Sequence, residues 1–368
     1  MTRRNPISLL IAILAALALV ASACGSDDDT TETDEGSETT ETTATDDSTE
    51  TTEAAADDGE DEGEGEEEMP DEAFRIAIVA PSASNDLAFT QSMVDAVDAV
   101  GENHTIEVDI TDGTFIVEDA AAAIRGYAED GFDLVIAHGS QYGGPLQEIA
   151  PDYPEVSFAW GTAADTFGID NVNSYTVRSD QGGYVLGTIA AQLSESGVIG
   201  VIGPIEVGDA KLYVDGFVNG VAAQDDAIDV NVNYIESFSD VALAAEAAAA
   251  HITNGADALT GTAQMVVGAT GVAGDEGVPW FGTQSNQTAL GDDIVVASQV
   301  YHWEVLLEEI IEAIEGGTLG GTVYTATLEN GGLTIEFNDA YGLDAAIQEA
   351  AEATAAGVAD GSVTTGVE

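Results

Sequence analysis

The chain has 368 residues and carries 69 acidic side chains against six lysines and arginines, for a formal net charge of −63. A field of that sign, with so few cations to displace counterions, excludes nucleic acid as a partner. A single cysteine, Cys24, leaves no disulfide or cysteine-based metal site in the body. The folded part must therefore hold itself together by burying a core, and it is long enough to do so.

Arg3 and Arg4 precede an uncharged run, Ile7–Ala23, which gives the basic and apolar regions of an export signal over residues 1–23. The run is 17 residues, at the short limit for crossing ~30 Å of hydrocarbon. It ends at Ala21-Ser22-Ala23-Cys24, a lipobox-like ending. In bacterial lipoproteins that this resembles, cleavage precedes the cysteine and its thiol takes a diacylglycerol; Ala21 stands where such boxes usually carry Leu. The expectation is a protein lipidated at Cys24 and held on the outer face of the cell membrane, with an uncleaved single-span anchor as the alternative. From 24 to 72 the chain is Asp, Glu, Thr, Ser and Gly with 23 acidic residues and no basic one, so it is expected to be a disordered, self-repelling tether. An acidic interaction tail is the alternative.

The body alternates β-branched runs with amphipathic stretches. The pattern predicts strands at Phe74–Val79, Glu107–Ile110, Phe132–Ala137, Val156–Trp160 and Val172–Val177, with helices over Asp86–Val100 and Val117–Ala128. A second block predicts helices Tyr184–Leu193, Lys211–Ala223 and Val241–Thr253. Its strands are Val198–Ile202, Val230–Tyr234, Ala256–Leu259, Pro279–Phe281 and Ile294–Ser298. Two tandem sets of βα units imply an α/β fold of two Rossmann-like lobes, each a parallel sheet covered by helices, with a ligand cleft between them. Lobe 1 is expected to take 73–177 plus about 301–325, and lobe 2 to take 178–300 plus about 326–368, with hinges at Val177–Asp180 and Gln299–His302.

Ligands of open α/β sheets sit beyond the carboxyl ends of the strands. Polar and aromatic residues just after the predicted strands are therefore the candidate site: Asn85, Asp86, Phe89, Ser140, Gln141, Tyr142, Trp160, Phe238, Asp240, Gln264, Gln284 and Asn286. Each also reads as a turn or cap residue. His138 ends a strand at the same place and reads as a wall residue that makes hydrogen bonds. Gly197, Gly200 and Gly203 lack the spacing of a dinucleotide loop. No phosphate-binding loop, zinc-protease motif or nucleophile elbow is present, so no catalytic residue, metal ligand or cofactor is assigned.

Segments along the body carry a family resemblance: "SNDLAFTQSM" (84–93), "GGYVLGTIAAQL" (182–193), "YVDGFVNGV", "YIESFSD" (234–240), "VPWFGTQSNQ" (278–287) and "VVASQVYHWEVLLEEIIEAIEGG" (295–317). In this order they resemble the Bmp or PnrA-like (basic membrane protein) family of substrate-binding lipoproteins of ABC importers, over roughly 73–340. The resemblance implies a type I periplasmic-binding fold, a monomer working with a membrane permease, no enzymatic activity, and a purine-type ligand. It also implies that Phe89 and Phe238 sandwich a base. Two departures bear on the ligand. Gly282-Thr283-Gln284-Ser285-Asn286-Gln287 stands where nucleoside-binding members carry Gly-Val-Asp-x-Asp-Gln, and Tyr301 where they carry a lysine. Trp303 resembles another branch of the family, for which the resemblance implies ligands such as free nucleobases; a purine-type ligand is kept as the class, and a nucleoside is no longer implied. A ligand sensor and a surface nucleoside hydrolase are the competing readings.

Overall fold

The computed structural model describes residues 73–367; the export signal, Cys24 and the acidic tether lie outside the described residues. Those described belong to one compact unit built on two six-stranded sheets. The first contains β1 (Phe74–Val79), β2 (Ile106–Thr111), β3 (Leu134–Ala137), β4 (Ser157–Gly161), β5 (Val172–Val177) and β11 (Val323–Ala326) in the order β11-β5-β4-β3-β1-β2. Every pairing in it is parallel. The second contains β6 (Val198–Gly203), β7 (Asp229–Tyr234), β8 (Leu259–Gly261), β9 (Trp280–Gln284), β10 (Val295–Tyr301) and β12 (Leu333–Phe337), ordered β12-β10-β9-β8-β6-β7. Here the expected all-parallel sheet needs correction, because β12 runs antiparallel to β10. It arrives from the first sheet through the short 327–332 connection, with no crossover helix to bring it back to a parallel start.

Strands such as Leu134-Val135-Ile136-Ala137 are apolar at every position because both faces of each sheet are covered. On the first sheet, α1 (Phe89–Val100) and α8 (Glu304–Glu315) bury Met93, Val97, Leu307 and Ile311 against Ile76, Ile78 and Ile136. The opposite face takes α2 (Val117–Glu129) and α3 (Gly143–Ile149). On the second sheet α4 (Ser179–Leu193), α5 (Gly208–Gln224) and α9 (Ala345–Ala359) cover one face, and α6 (Val241–Thr253) and α7 (Val266–Glu276) the other.

Three helix starts differ from the sequence pattern. Helix α1 begins at Phe89, not Asp86, because the Asp86 carboxylate accepts the backbone N–H groups of Ala88 (2.9 Å), Thr90 (3.2 Å) and Gln91 (3.1 Å) and so caps the first turn from outside it. Helix α5 begins at Gly208 rather than Lys211. Helix α4 begins five residues before Tyr184 and runs through Gly182-Gly183, a pair that ordinarily weakens a helix. The gain is close approach to α5. A Cβ on Gly183 or Gly187 would collide with the backbone carbonyls of Tyr213 and Phe217, and one on Gly216 or Gly220 with those of Asp180 and Tyr184. The glycine pairs sit four residues apart, on one face of each helix, so the two backbones touch.

The chain passes between the sheets three times: from β5 to α4, from β10 to α8, and from β11 to β12. Backbone bonds tie the passages side by side, Arg178 N–H to Ala326 O and His302 N–H to Gly332 O, both 2.9 Å. The His302 ring lies among Glu304 Oε1 (2.7 Å), Thr334 Oγ1 (2.9 Å) and Glu336 Oε1 (3.5 Å). Hydrogen bonds to Glu304 and Glu336 raise its pKa to about 9.

Gly220→Ala is expected to cost about 1–3 kcal/mol in a denaturant melt, because neither backbone can give way without moving its helix. Removing His302 is expected to cost stability only where the ring is charged. Its folded pKa exceeds the unfolded value, so its contribution is complete below about pH 6.5 and gone above about pH 9. The shift sets a ceiling of ~3 kcal/mol, and solvent screening of a side chain 29% exposed lowers it. Melts of His302→Ala against the native protein near pH 6 and near pH 10 should show a difference only at the lower pH.

Candidate functional site

The carboxyl ends of both sheets open on one cavity of about 210 Å³. From the first sheet it receives Phe89, Ser140 and Thr162, which follow β1, β3 and β4; from the second it receives Val207–Ala210, Phe238, Ala263 and Gln284, at the ends of β6, β7, β8 and β9. Three of these residues are non-glycine with left-handed backbone: Thr162 (φ 52°), Ala263 (φ 78°) and Gln284 (φ 74°). Such strain costs roughly 1–3 kcal/mol per residue and gathers where a chain must aim a group at a ligand. A wider groove of about 890 Å³ adjoins the cavity, sharing Thr162, Gly208 and Asp209, and continues along α5 toward Val367.

Phe89 is fixed from behind. Its ring stacks on the His138 imidazole at 3.9 Å and 11°. His138 is fully buried, with Nε2 3.0 Å from the Phe89 carbonyl oxygen and Nδ1 2.7 Å from the Tyr175 hydroxyl. A carbonyl only accepts, so Nε2 carries the hydrogen and Nδ1 receives the tyrosine O–H. Burial lowers the imidazole pKa to about 4 and keeps the ring neutral. Phe238 is half-buried on the opposite lobe, its backbone oxygen accepting the Met265 N–H. The lobes also touch directly, Ser285 Oγ donating to Ala88 O at 2.9 Å and Gln287 Nε2 to Leu87 O at 3.3 Å.

The electrostatics are one-sided. Asp209, in the first turn of α5, is the acid in the cavity, and desolvation raises its pKa to about 6. Lys211 is the nearest cation along the chain, and it is bound to Asp215 (2.8 Å) and Glu206 (3.3 Å). No arginine or lysine lines the cavity.

The family model described as "ABC transporter substrate-binding protein PnrA-like" (Bmp) matches residues 73–355. The chain belongs to that family. A purine-binding protein of Brucella abortus is 27% identical over 252 residues, 67% of this chain and 71% of its own. A transcriptional activator protein of Bacillus subtilis is 26% identical, over 70% of this chain and 80% of its own. The solved solute-binding protein of an ABC transporter system from Conexibacter woesei superposes with a TM-score of 0.68 at 24% identity, covering 79% of this chain and 98% of that one. The fold is the type I fold of periplasmic solute-binding proteins, with two α/β lobes, as the family resemblance implied.

Of the residues expected at this Bmp-family site, Phe89, Ser140, Phe238 and Gln284 meet in the 210 Å³ cavity. The others lie elsewhere. The Asp86 carboxylate is occupied by the α1 cap and by the Ser82 hydroxyl at 2.7 Å. Asp240 caps α6 through the Leu243 N–H, 2.9 Å away. Tyr142 and Trp303 are core residues with no exposed surface, the first donating its O–H to Thr114 O and the second its Nε1–H to Ser92 Oγ. Trp160 stands one layer back, giving its Nε1–H to Ser140 O and stacking on Phe167 at 4.6 Å. Asn85 is exposed, and Gln141 and Gln264 are half-buried outside the cavity. Asn286 and Tyr301 line a second cavity of about 290 Å³ with His302 and Glu336, and Gln284 borders both cavities. Thr162, Val207–Ala210 and Ala263 are cavity residues that sequence reading passed over. The loop after β6 obeys the same strand-end rule, but a helix placed at Lys211 left Asp209 in an unassigned gap.

Asp209→Asn removes a carboxylate held in a poor solvent. The folded pKa of about 6 exceeds the ordinary 3.8, so the native protein loses stability as pH rises through that window. The variant is expected to melt higher than the native protein at about pH 7 and to match it near pH 3.5, as read by calorimetry.

Proposed function

We propose that this protein is an extracytoplasmic lipoprotein, anchored through Cys24, that captures a purine-type ligand between its lobes and delivers it to the permease of an ABC importer. The observation that carries the reading is that Phe89 from one lobe and Phe238 from the other line the same small cavity. A flat heteroaromatic between two such rings gains about 1–3 kcal/mol of stacking per base. The cavity is smaller than the ~300–1,000 Å³ usual for drug-sized ligands and suits a single bicyclic base; the adjoining groove leaves room for a sugar on it. The name of the Brucella relative supports the same ligand class. Closure about the three passages between the sheets would exclude water and strengthen each hydrogen bond inside. A sensor that reports occupancy to a membrane receptor uses the same cavity, and the Bacillus relative named as a transcriptional activator favours it as the second reading.

A thermal-shift screen of the purified full-length chain against nucleobases, nucleosides, amino acids and sugars tests the ligand class. Purine-type compounds should raise the melting temperature by mass action; shifts confined to sugars or amino acids would reject it. Phe238→Ala, at a half-buried site, should weaken binding roughly five- to a hundred-fold by loss of stacking while the unliganded protein melts within a few degrees of the native one. Unchanged affinity would make the ring a packing residue only.

A further inference from the structure

Four consecutive residues at the end of β9 make four different connections. Gln284 lines the 210 Å³ cavity on left-handed backbone. Ser285, 3% exposed, donates its hydroxyl across the lobes to Ala88 O at 2.9 Å, the one hydrogen bond that this hydroxyl makes among the described residues. Asn286 gives its side-chain amide to Glu336 Oε2 at 2.7 Å, and Glu336 faces His302 in the passage from β10 to α8. Gln287 is held in its own lobe by the Trp280 Nε1–H (2.9 Å) and by Thr283 O (3.1 Å), and its amide also reaches the other lobe, at Leu87 O (3.3 Å).

The receiving side is three carbonyls in a row. Leu87 O and Ala88 O take their donors from the second lobe, and Phe89 O takes His138 Nε2 of the first at 3.0 Å. Leu87 (φ 53°) and Ala88 (φ −150°, ψ −121°) both lie outside the helical region, a conformation that persists only where surrounding contacts hold it. Bonds between lobes exist only while the lobes are together, and a guest enclosed between them leaves by their parting. Both bonds therefore break on release, and both lie beside cavity residues, Gln284 on one side and Phe89 on the other. We propose that Ser285, with Gln287, is a positioning residue for capture: the pair clasps the Leu87–Ala88 segment to the second lobe, which holds Phe89 at the cavity and slows reopening. The inference rests on the reading of capture between the lobes, and assigns the contact that retains the guest.

Ser285→Ala in the full-length chain tests it, because the change deletes the clasp hydroxyl and leaves Gln287, which also packs its own lobe, intact. The probe is 2-aminopurine, a purine whose fluorescence falls on stacking, chased off by excess adenine in a stopped-flow experiment. Dissociation should quicken roughly two- to tenfold, the worth of one neutral hydrogen bond, with association no slower and the unliganded melting temperature within a few degrees of the native one. A residue that served the fold alone would lower the melting temperature and leave dissociation unchanged; unchanged dissociation would overturn the proposal. Hydrogen exchange on the unliganded chain supplies a readout that needs no purine. The variant should exchange faster in 85–92 and in 283–288 together, one segment on each lobe, with the sheets unaltered; faster exchange on one side only, or on neither, would also overturn the clasp. Failure of the native chain to bind 2-aminopurine would count against the purine reading, and the exchange result would then decide the clasp by itself.

Discussion

The chain's three passages between its sheets govern everything else in the described structure. Because β11 returns to the first sheet and β12 to the second, each lobe is built from separated stretches of sequence, and neither is completed before the chain has visited both. Parallel strands point their carboxyl ends one way, so the loops that end β1, β3 and β4 face those that end β6, β7, β8 and β9. A cavity with one aromatic ring from each side follows from that topology. The ring positions follow from local packing, above all from the neutral His138 locked between the Phe89 carbonyl and the Tyr175 hydroxyl.

Stability and recognition pull against each other at Asp209. A carboxylate in a desolvated position costs the folded state free energy at neutral pH, as do the left-handed conformations of Thr162, Ala263 and Gln284. Costs of this kind concentrate at sites that must hold a polar group ready for a ligand. The rest of the body offsets them with close-packed elements: Trp280 and Trp303 without exposed surface, and α4 lying directly against α5 through facing glycines. The acidic surface has few cations to spare, and those of the body stand beside carboxylates.

Much of this was legible from residue order. Period-two and unbroken β-branched runs placed β1, β5 and β6 within a residue; β6 is Val, Ile and Gly throughout, and in β1 and β5 the apolar residues around Arg75 and around Asn173 and Ser174 were enough to carry the signal. Helices α3 and α7 left no such mark. One starts Gly-Gly-Pro, with Gly143 against the Trp160 ring; the other carries Gly268, Gly271 and Gly274, of which Gly268 lies against the Val241 carbonyl. Gly143 and Gly268 serve packing, and packing is invisible until the partner element is known. The strand-end rule found Phe89, Ser140, Phe238 and Gln284 but also swept in Asp86 and Asp240, because a cap and a ligand contact both call for a small polar side chain after a strand. Asp209 was missed for the converse reason: glycine at the first position of α5 hid the helix start, and with it the acid that faces the cavity.

The central claim is that the lobes hold one planar guest between Phe89 and Phe238. A crystal structure of the full-length chain grown with adenine tests it most directly. The account predicts density for the base inside the 210 Å³ cavity, stacked between Phe89 and Phe238. Density only in the wider groove along α5, or an unliganded cavity in a crystal saturated with the base, would contradict it.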